Sequence, residues 1–247
     1  MKVYATYNIK GGVGKTSTAV NLAYLAAREG HRTLLWDLDP QAAATFLLRV
    51  RPRVKGGGRA LVRRRRPLED VVKATDYDGL DLVPGDFSYR NMDLELDGTK
   101  RRIRRLGQLL NSVRDDYDVV VLDCPPSVSL VSENVLWATD VLLVPLVPAT
   151  LSVRTFDQLT RFVADAPGNR PDVIAFFSMA DRRKKLHRGL IESLSASGSK
   201  RARVAATVIP ALSVVEQMAE HRAPVAEYAP RSAAAAAYAA LWAEVSR

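Results

Sequence analysis

The sequence predicts an α/β fold in which a mainly parallel, twisted sheet is covered by helices on both faces. Two observations lead to this prediction. Short apolar segments alternate with helical patterns along the chain, and the apolar segments are continuous rather than interrupted at every second residue. Continuous apolar strands are typical of parallel sheets that are buried on both faces. A chain of 247 residues fits one domain, predicted here to span residues 1–247.

The predicted elements follow one another without an internal repeat. In the first part of the chain they are a strand at 2–7, a helix at 15–30, a strand at 32–39, a helix at 41–48, a helix at 67–74 and a strand at 79–85. In the second part they are a helix at 100–115, strands at 117–126 and 140–146, a helix at 151–165, strands at 172–179 and 202–210, and a closing helix at 230–247.

The composition excludes several classes of protein. No apolar run approaches the roughly 20 residues that a membrane-spanning helix needs. The N-terminal residues lack the pattern of a signal peptide, so a cytoplasmic protein is expected. The single cysteine, Cys124, cannot form an internal disulfide, and no group of Cys and His residues has the spacing of a zinc site.

The net charge of +9 is concentrated in one segment of the chain. Residues 49–66 contain nine Arg or Lys residues and no acid, so the remainder of the chain carries no net charge. Such an arginine-rich segment is typical of a surface that meets a polyanion, either nucleic acid or anionic lipid. A solvated surface loop without a partner is the alternative interpretation.

The stretch NIKGGVGKTST, residues 8–18, lies between a predicted strand and a predicted helix. In such a unit the glycine-rich loop turns backbone N–H groups toward phosphates, Lys15 reaches the β- and γ-phosphates, and the Thr16 hydroxyl meets Mg²⁺. The ordinary motif G-x-x-x-x-G-K-[ST] would need glycine where this chain has Ile9. The candidate nucleotide-binding residues are Lys10, Gly11, Gly12, Val13, Gly14, Lys15, Thr16 and Ser17.

The segment KGGVGKTS resembles the deviant Walker A motif of the ParA/MinD family of P-loop ATPases. The resemblance implies a P-loop NTPase fold, ATP and Mg²⁺ as cofactors, and a role for the additional lysine, Lys10. In that family the additional lysine reaches across a dimer interface to the partner's nucleotide. Lys10 would then supply a cation in trans, and hydrolysis would depend on dimerisation.

Two further segments resemble the same family in the expected order. LLWDLDPQ, residues 34–41, looks like the switch I segment, and VVVLDCPPS, residues 119–127, looks like the Walker B and switch II segment. The resemblance implies that Asp39 positions the attacking water. Asp37 would lie near the Mg²⁺ shell, and Asp123 would reach Mg²⁺ directly or through water. Residues around Pro210 would lie near the adenine.

The DNA-binding residues of the family are matched only in part. MADRRKKLHRG resembles the stretch in which an arginine corresponding to Arg183 contacts DNA, and Arg182, Arg183, Lys184 and Lys185 form a basic run there. Ala211 and Val214 stand where the family usually has arginines. Residues 49–66 or the run KRRIRR at 100–105 could substitute for them, or DNA binding could be weaker.

These observations favour a ParA-type ATPase. The predicted protein dimerises on ATP, binds nonspecific DNA, positions plasmid, chromosome or other cargo on the nucleoid, and hydrolyses ATP slowly until a ParB-like or cargo-adaptor partner stimulates it. A membrane partner is disfavoured because the C-terminal helix lacks a basic polar face. The alternatives are a nucleotide-gated binding module for an anionic membrane or a protein, and a metabolic P-loop enzyme of the amidoligase type.

Overall fold

Eight strands form the sheet of the computed structural model, which describes residues 1–166, 168, 170–197 and 202–247. In chain order the strands are β1 Lys2–Thr6, β2 Thr33–Asp37, β3 Lys73–Ala74, β4 Leu80–Val83, β5 Val119–Asp123, β6 Val141–Leu146, β7 Asp172–Ala180 and β8 Arg203–Pro210. Their order in the sheet is β3-β4-β2-β5-β1-β6-β7-β8. All neighbours are parallel except β3, which runs antiparallel to β4. The predicted α/β fold class is therefore confirmed.

Helices of very different lengths cover the sheet. Among the described residues they are α1 Lys15–Arg28, α2 Ala43–Leu47, α3 Gly57–Val62, α4 Met92–Asp97, α5 Arg105–Leu110, α6 Leu130–Ala138, α7 Thr150–Asp165, α8 Lys185–Ser197, α9 Ser213–Glu216, α10 Met218–His221, α11 Val225–Tyr228 and α12 Ala233–Val245.

The strands bury side chains on both faces of the sheet. Successive residues of a strand point to opposite faces, so Val3 and Ala5 join one core cluster while Tyr4 joins the other. The first cluster also contains the inner faces of α3 to α7, and the second contains those of α1, α2 and α12. The continuous apolar strands of the sequence are explained by this two-sided burial.

The closing helix α12 is part of the core. Tyr238, Leu241 and Trp242 are buried in the second cluster, and the indole N–H of Trp242 donates to Glu29 Oε2 at 2.8 Å.

In the described part of the chain, no helix is both long and apolar enough to cross a membrane.

Two sequence predictions need correction. The segment 67–74 is predicted as a helix but forms only a 3-10 turn at Glu69–Val71 and the short strand β3. The predicted helix 100–115 begins only at Arg105, where the backbone N–H groups of Arg105 and Leu106 donate to Asn134 Oδ1. The Asn134 side chain therefore satisfies the first N–H groups of the helix. The like charges of the preceding run disfavour an earlier helix start.

The arginine-rich segment 49–66, for which a solvated surface loop is the alternative interpretation, contains ordered structure that packs on the core. It contains the helix α3, whose Leu61 and Val62 are fully buried in the first core cluster. At its start, the guanidinium of Arg49 donates to the backbone carbonyl oxygens of His221 and Arg222, both at 3.1 Å. Helix α3 and the side chain of Arg49 thus connect this segment to the rest of the fold.

A groove of about 580 Å³ lies beside β3, the strand at one end of the sheet. One wall is formed by residues 48–55 and the other by residues 70–76, and both walls carry charged side chains. Its cationic lining residues are Arg49, Arg51, Arg53, Lys55 and Lys73.

Candidate nucleotide-binding site

The glycine-rich loop follows β1 and leads directly into α1. Asn8 fixes the start of the loop, because its side-chain amide donates to the Pro145 carbonyl at 2.8 Å and its Oδ1 accepts the N–H of Lys10 at 2.9 Å. Gly12 and Gly14 have φ values of 69° and 91°, in the left-handed region that favours glycine. Gly14 is also the residue before the first turn of α1, so the loop ends at the positive end of the helix dipole.

The two lysines of the loop occupy opposite environments. Lys15 is only 7% exposed, and its ammonium donates to the backbone carbonyl of Lys10 at 3.2 Å. Burial lowers the pKa of Lys15, while the nearby carboxylate of Asp123 acts in the other direction. Lys10 is exposed and, among the described residues, has no carboxylate within ion-pair distance. One lysine is therefore held under the loop and the other points its charge outward.

The ends of three adjacent strands bring polar side chains together beside the loop. Asp37 and Asp123 are partners in the register of β2 and β5, and Thr6 is the partner of Asp123 in β1. Both carboxylates are fully buried, and Asp123 Oδ2 has no hydrogen-bond partner among the described residues. Burial and the neighbouring Asp37 raise the pKa of Asp123 well above its ordinary range, against the opposing influence of Thr16 and Lys15.

Asp37 is held by a residue that sequence reasoning missed. The backbone N–H and the hydroxyl of Thr45 both donate to Asp37 Oδ2, at 2.9 and 2.7 Å, and the N–H of Gly85 donates to the same hydroxyl at 2.7 Å. Burial raises the pKa of Asp37 to about 6, although these hydrogen bonds oppose it. Nothing in the segment QAAATFLL distinguishes Thr45 from an ordinary helical residue, so only the structure reveals this contact.

Asp39 follows β2 and lies close enough to Lys15 of the loop and to Asp123 for their charges to interact. It is half-buried, its N–H donates to Asp37 Oδ1 at 3.2 Å, and its own Oδ1 accepts the N–H of Gln41 at 2.9 Å.

Cys124 follows Asp123 in the chain. Burial raises the pKa of its thiol well above the ordinary value, as expected for a packing residue rather than a nucleophile. Within the described ranges there is no group of three or more His, Cys, Asp or Glu side chains that could hold a metal ion without other ligands.

The remaining predicted residues lie beyond this cluster, at the ends of β7 and β8. Pro210 lines a cavity of about 470 Å³ together with Arg182 and Arg183. The four basic residues 182–185 are exposed, but the guanidinium of Arg183 is paired with the carboxylate of Asp181 at 3.0 Å. This ion pair lowers the pKa of Asp181 to about 2.

Replacing Gly14 with alanine should destabilise the loop and weaken nucleotide binding. A side chain would be forced into the left-handed region, and its Cβ would lie 2.8 Å from the Ser178 hydroxyl oxygen. We expect the free energy of unfolding to fall by about 1–3 kcal/mol, measured by urea titration. In the double variant Gly14→Ala/Ser178→Gly the contact is removed but the backbone strain stays, so only part of the loss should be recovered. Full recovery would contradict the role assigned to the backbone conformation.

A strand, a glycine-rich loop and a helix, with a buried lysine at the helix start and a carboxylate at the end of a neighbouring strand, define a P-loop nucleoside triphosphatase fold. A family model described as an AAA domain matches residues 1–170. The chain belongs to the ParA/MinD family of P-loop ATPases.

Relatives of known name resemble the chain over its whole length. The sporulation initiation inhibitor protein Soj of Bacillus subtilis is 33% identical over 99% of this chain and 98% of its own length. The chromosome partitioning protein ParA of Caulobacter vibrioides is 32% identical over 99% of this chain and 94% of its own length. A solved structure of cobyrinic acid a,c-diamide synthase from Mycobacterium smegmatis, with bound ATP analogue and magnesium, is 27% identical, with a TM-score of 0.85, and covers 98% of this chain and 93% of that one.

Proposed function

We propose that residues 1–247 form one ParA-type ATPase domain that dimerises on ATP, binds nonspecific DNA and positions a cargo on the nucleoid in the cytoplasm. The observation that carries the proposal is the difference in environment between the two lysines of the loop. Lys15 is buried under the loop, as a ligand of its own nucleotide needs, whereas Lys10 presents an unpaired charge at the surface. A lysine that serves a neighbouring subunit has to be exposed in the monomer.

The residues of the loop and the strand ends fit a magnesium–nucleotide complex. The ammonium of Lys15 has only a backbone carbonyl as hydrogen-bond acceptor among the described residues, and Asp123 Oδ2 has no hydrogen-bond partner there. A buried carboxylate oxygen without a partner is costly unless a cation or a donor meets it, so Asp123, through Oδ2, and the Thr16 hydroxyl would hold Mg²⁺. ATP, when bound, would supply the phosphoanhydride bond that is hydrolysed. Asp37, already occupied by Thr45, would act on the metal only through water.

The remaining roles belong to residues around this core. The backbone N–H groups from Gly11 to Ser17 would bind the phosphates, and Pro210 would lie against the adenine. Asp39 would orient the attacking water from its half-buried position beside the loop. A ParB-like protein or a cargo adaptor would stimulate a weak intrinsic activity by stabilising this arrangement.

DNA binding measured against nucleotide state tests the proposal. The protein is titrated with a duplex of mixed sequence in ATP, in ADP and without nucleotide, each over a series of salt concentrations. We expect binding only with ATP, and affinity that falls steeply with salt because phosphate contacts release counterions. Absence of DNA binding in every nucleotide state, together with ATP-dependent sedimentation on anionic vesicles, would instead favour the nucleotide-gated membrane module.

Replacing Lys10 with alanine should separate its role from that of Lys15. We expect the variant to bind ATP but to stay monomeric in light scattering, and stimulated hydrolysis to fall about 10³-fold, the lower end of what a cation supplied in trans contributes. Lys73→Ala removes an equally exposed lysine from the distant strand β3 and is the matched control. A Lys10→Ala protein that dimerises and hydrolyses ATP like the unchanged protein would exclude the role in trans.

A second candidate function is ATP-dependent amide formation, favoured by the similarity to the diamide synthase. It is the weaker candidate because the partition proteins are more similar to this chain over a comparable length. Hydrolysis that responds to DNA, and not to ammonia with a carboxylic acid substrate, would decide for the partition ATPase.

A further inference from the structure

Two basic runs that are far apart in the sequence meet on one face of the molecule. Residues 63–66 follow α3 and residues 100–105 precede α5, and both helices pack on the first core cluster. Helices α3 and α5 are in contact, and the charges of Arg63 and Arg64 act on Arg105 of the second run. Arg63 also joins α3 to the end of α4, because its guanidinium donates to the Gly98 carbonyl at 2.9 Å and pairs with Glu95 at 3.1 Å. We call the combined area, residues 63–66 and 100–105, the basic surface.

The basic surface carries more positive charge than its acids can pair. Its ion pairs within the described residues are those of Arg63 with Glu95, Arg66 with Asp70 and Arg102 with Asp97. The exposed members that have no carboxylate within ion-pair distance among those residues are Arg64, Arg65, Lys100, Arg101 and Arg104. A surface with this excess is incompletely neutralised in the free protein.

The environment of Arg105 shows that the cations of the two runs lie close together. It is half-buried, and its guanidinium donates to Gln108 Oε1 at 3.1 Å while its Nε has no hydrogen-bond partner among the described residues. Partial burial lowers the pKa of Arg105, and the positive charges of Arg64, Arg101 and Arg63 lower it further. The two runs therefore repel each other electrostatically until an anion lies between them.

The chemistry of the surface favours phosphates of a nucleic acid backbone over lipid. Nearly all of its cations are arginines, whose planar guanidinium binds phosphate through two parallel hydrogen bonds. Within the two runs the exposed side chains are Arg and Lys only, and Ile103 is half-buried, so the runs themselves offer no apolar side chain for insertion between lipids; the exposed Phe87 and Leu94 lie outside them. No aromatic residue interrupts the runs, which excludes base stacking as the main contact.

We propose that the basic surface, and not the run 182–185, is the principal DNA-binding surface of this protein. The proposal rests on the proposed ATP-dependent DNA binding and assigns it to a place. Residues 182–185 follow β7 near the opposite edge of the sheet from β3 and β4. Arg183 is paired with Asp181, so this run has three cations without a carboxylate within ion-pair distance among the described residues, against five on the basic surface. A duplex bound at the basic surface would contact phosphates without reading the sequence.

Two quadruple variants, each of which removes four positive charges, test the assignment. In the first, Arg64→Asn, Arg65→Gln, Lys100→Gln and Arg101→Gln remove four unpaired cations, and asparagine is chosen at position 64 because Arg64 has a φ of 54°. Arg63 is left in place because it joins α3 to α4. The matched control carries Arg182→Gln, Arg183→Gln, Lys184→Gln and Lys185→Gln. Because Arg182 and Arg183 line the cavity at Pro210, ATP binding by both variants is first measured by fluorescent-nucleotide titration, and DNA is added at saturating ATP. Circular dichroism checks the folding of both, and affinity for a mixed-sequence duplex is measured with ATP over a salt series.

We expect the first variant to bind DNA at least about tenfold more weakly near 0.1 M salt. The slope of log K against log salt should become less steep by about 0.9 for each phosphate contact that is lost. The control should keep most of its affinity. Equal binding by the first variant and the unchanged protein, with loss in the control, would overturn the assignment while leaving the proposed function intact.

Two other outcomes would also overturn it. If the unchanged protein binds no DNA with ATP, the proposed function and the assignment fail together. If the unchanged protein instead binds vesicles of phosphatidylcholine and phosphatidylglycerol, and the first variant loses that binding, the basic surface belongs to a membrane partner.

Discussion

Replacement of Asp39 with alanine should leave ATP binding intact and slow hydrolysis by about 100- to 10,000-fold. The expected size is that of a positioned group which orients or deprotonates the attacking water. Asp39 is suited to such a role because its carboxylate is half-buried, accepts only the N–H of Gln41 among the described residues, and interacts electrostatically with Lys15 of the loop. Single-turnover hydrolysis and fluorescent-nucleotide titration measure the two quantities separately, and the ATP-bound dimer should persist on DNA.

Two control variants are needed to interpret the effect of Asp39→Ala on ATP binding and hydrolysis. Lys15→Ala should lose ATP binding and hydrolysis together, since its ammonium lies buried under the loop. Asp116→Ala removes an exposed carboxylate before the start of β5, at the opposite end of that strand, and should change neither quantity. If Asp39→Ala weakens ATP binding as much as Lys15→Ala does, Asp39 is a ligand of the nucleotide and not the residue that positions water.

Replacing Asp123 with asparagine should stabilise the protein in the absence of ligands and abolish its response to magnesium and ATP. Complete burial, followed by the adjacent Asp37 carboxylate, raises the pKa of Asp123, so its charged form at neutral pH is disfavoured in the folded chain. Asparagine keeps the shape and removes the charge. We expect the free energy of unfolding at pH 7, measured by urea titration, to rise by about 1–3 kcal/mol. With magnesium and ATP the order of stability should reverse.

The pH dependence of this difference follows from the raised pKa values. A carboxyl group whose pKa is higher in the folded chain stabilises the fold at low pH, and that contribution is lost as the pH rises to the folded pKa. For Asp37 the loss extends from about 3.9, the unfolded value, to about 6. The pKa of Asp123 is raised as well, so Asp123 also loses its contribution as the pH rises above its unfolded value of about 3.9, whereas asparagine does not titrate. The advantage of Asp123→Asn should therefore grow as the pH rises from about 3.9.

Asp118→Asn is the matched control for the Asp123 variant. Arg32 holds the pKa of the exposed Asp118 below its ordinary range, so its ionised form is favoured in the folded chain. The same substitution there should leave stability unchanged or lower it at pH 7. An Asp123→Asn protein that is less stable than the unchanged protein at pH 7 would contradict the account of the buried carboxylates.

The fold and the phosphate loop could be predicted because their signals are local. The strand before residue 8, the glycines of the loop and the helix after Lys15 are contiguous in sequence, and each has a short-range physical cause. The carboxylates Asp37 and Asp123 could be named because segments 34–41 and 119–127 resemble those of the family and because each residue ends an apolar strand. That they are partners in adjacent strands could not be predicted, since it depends on the order of strands in the sheet.

The structure adds what depends on distant contacts. Helix α5 starts at Arg105 because Asn134, on α6, accepts its N–H, and α6 itself was not predicted. The helix α3 forms inside a run of like charges because Leu61 and Val62 gain a buried environment from other elements. The convergence of 63–66 with 100–105 has the same origin, so sequence reasoning could treat these runs only as separate alternatives.

The terminal strand β3 also has a consequence for how the molecule behaves when crowded. An open strand edge invites another chain to pair with it, and edge-to-edge growth of this kind leads to aggregates. Here the edge is only two residues long, and the groove beside it is lined by Arg51, Arg53, Lys55 and Lys73, with Pro52 between the first two. A second copy approaching this edge would bring the same excess of cations over the groove acids Asp70 and Asp76 against it, so like-charge repulsion opposes extension of the sheet beyond β3.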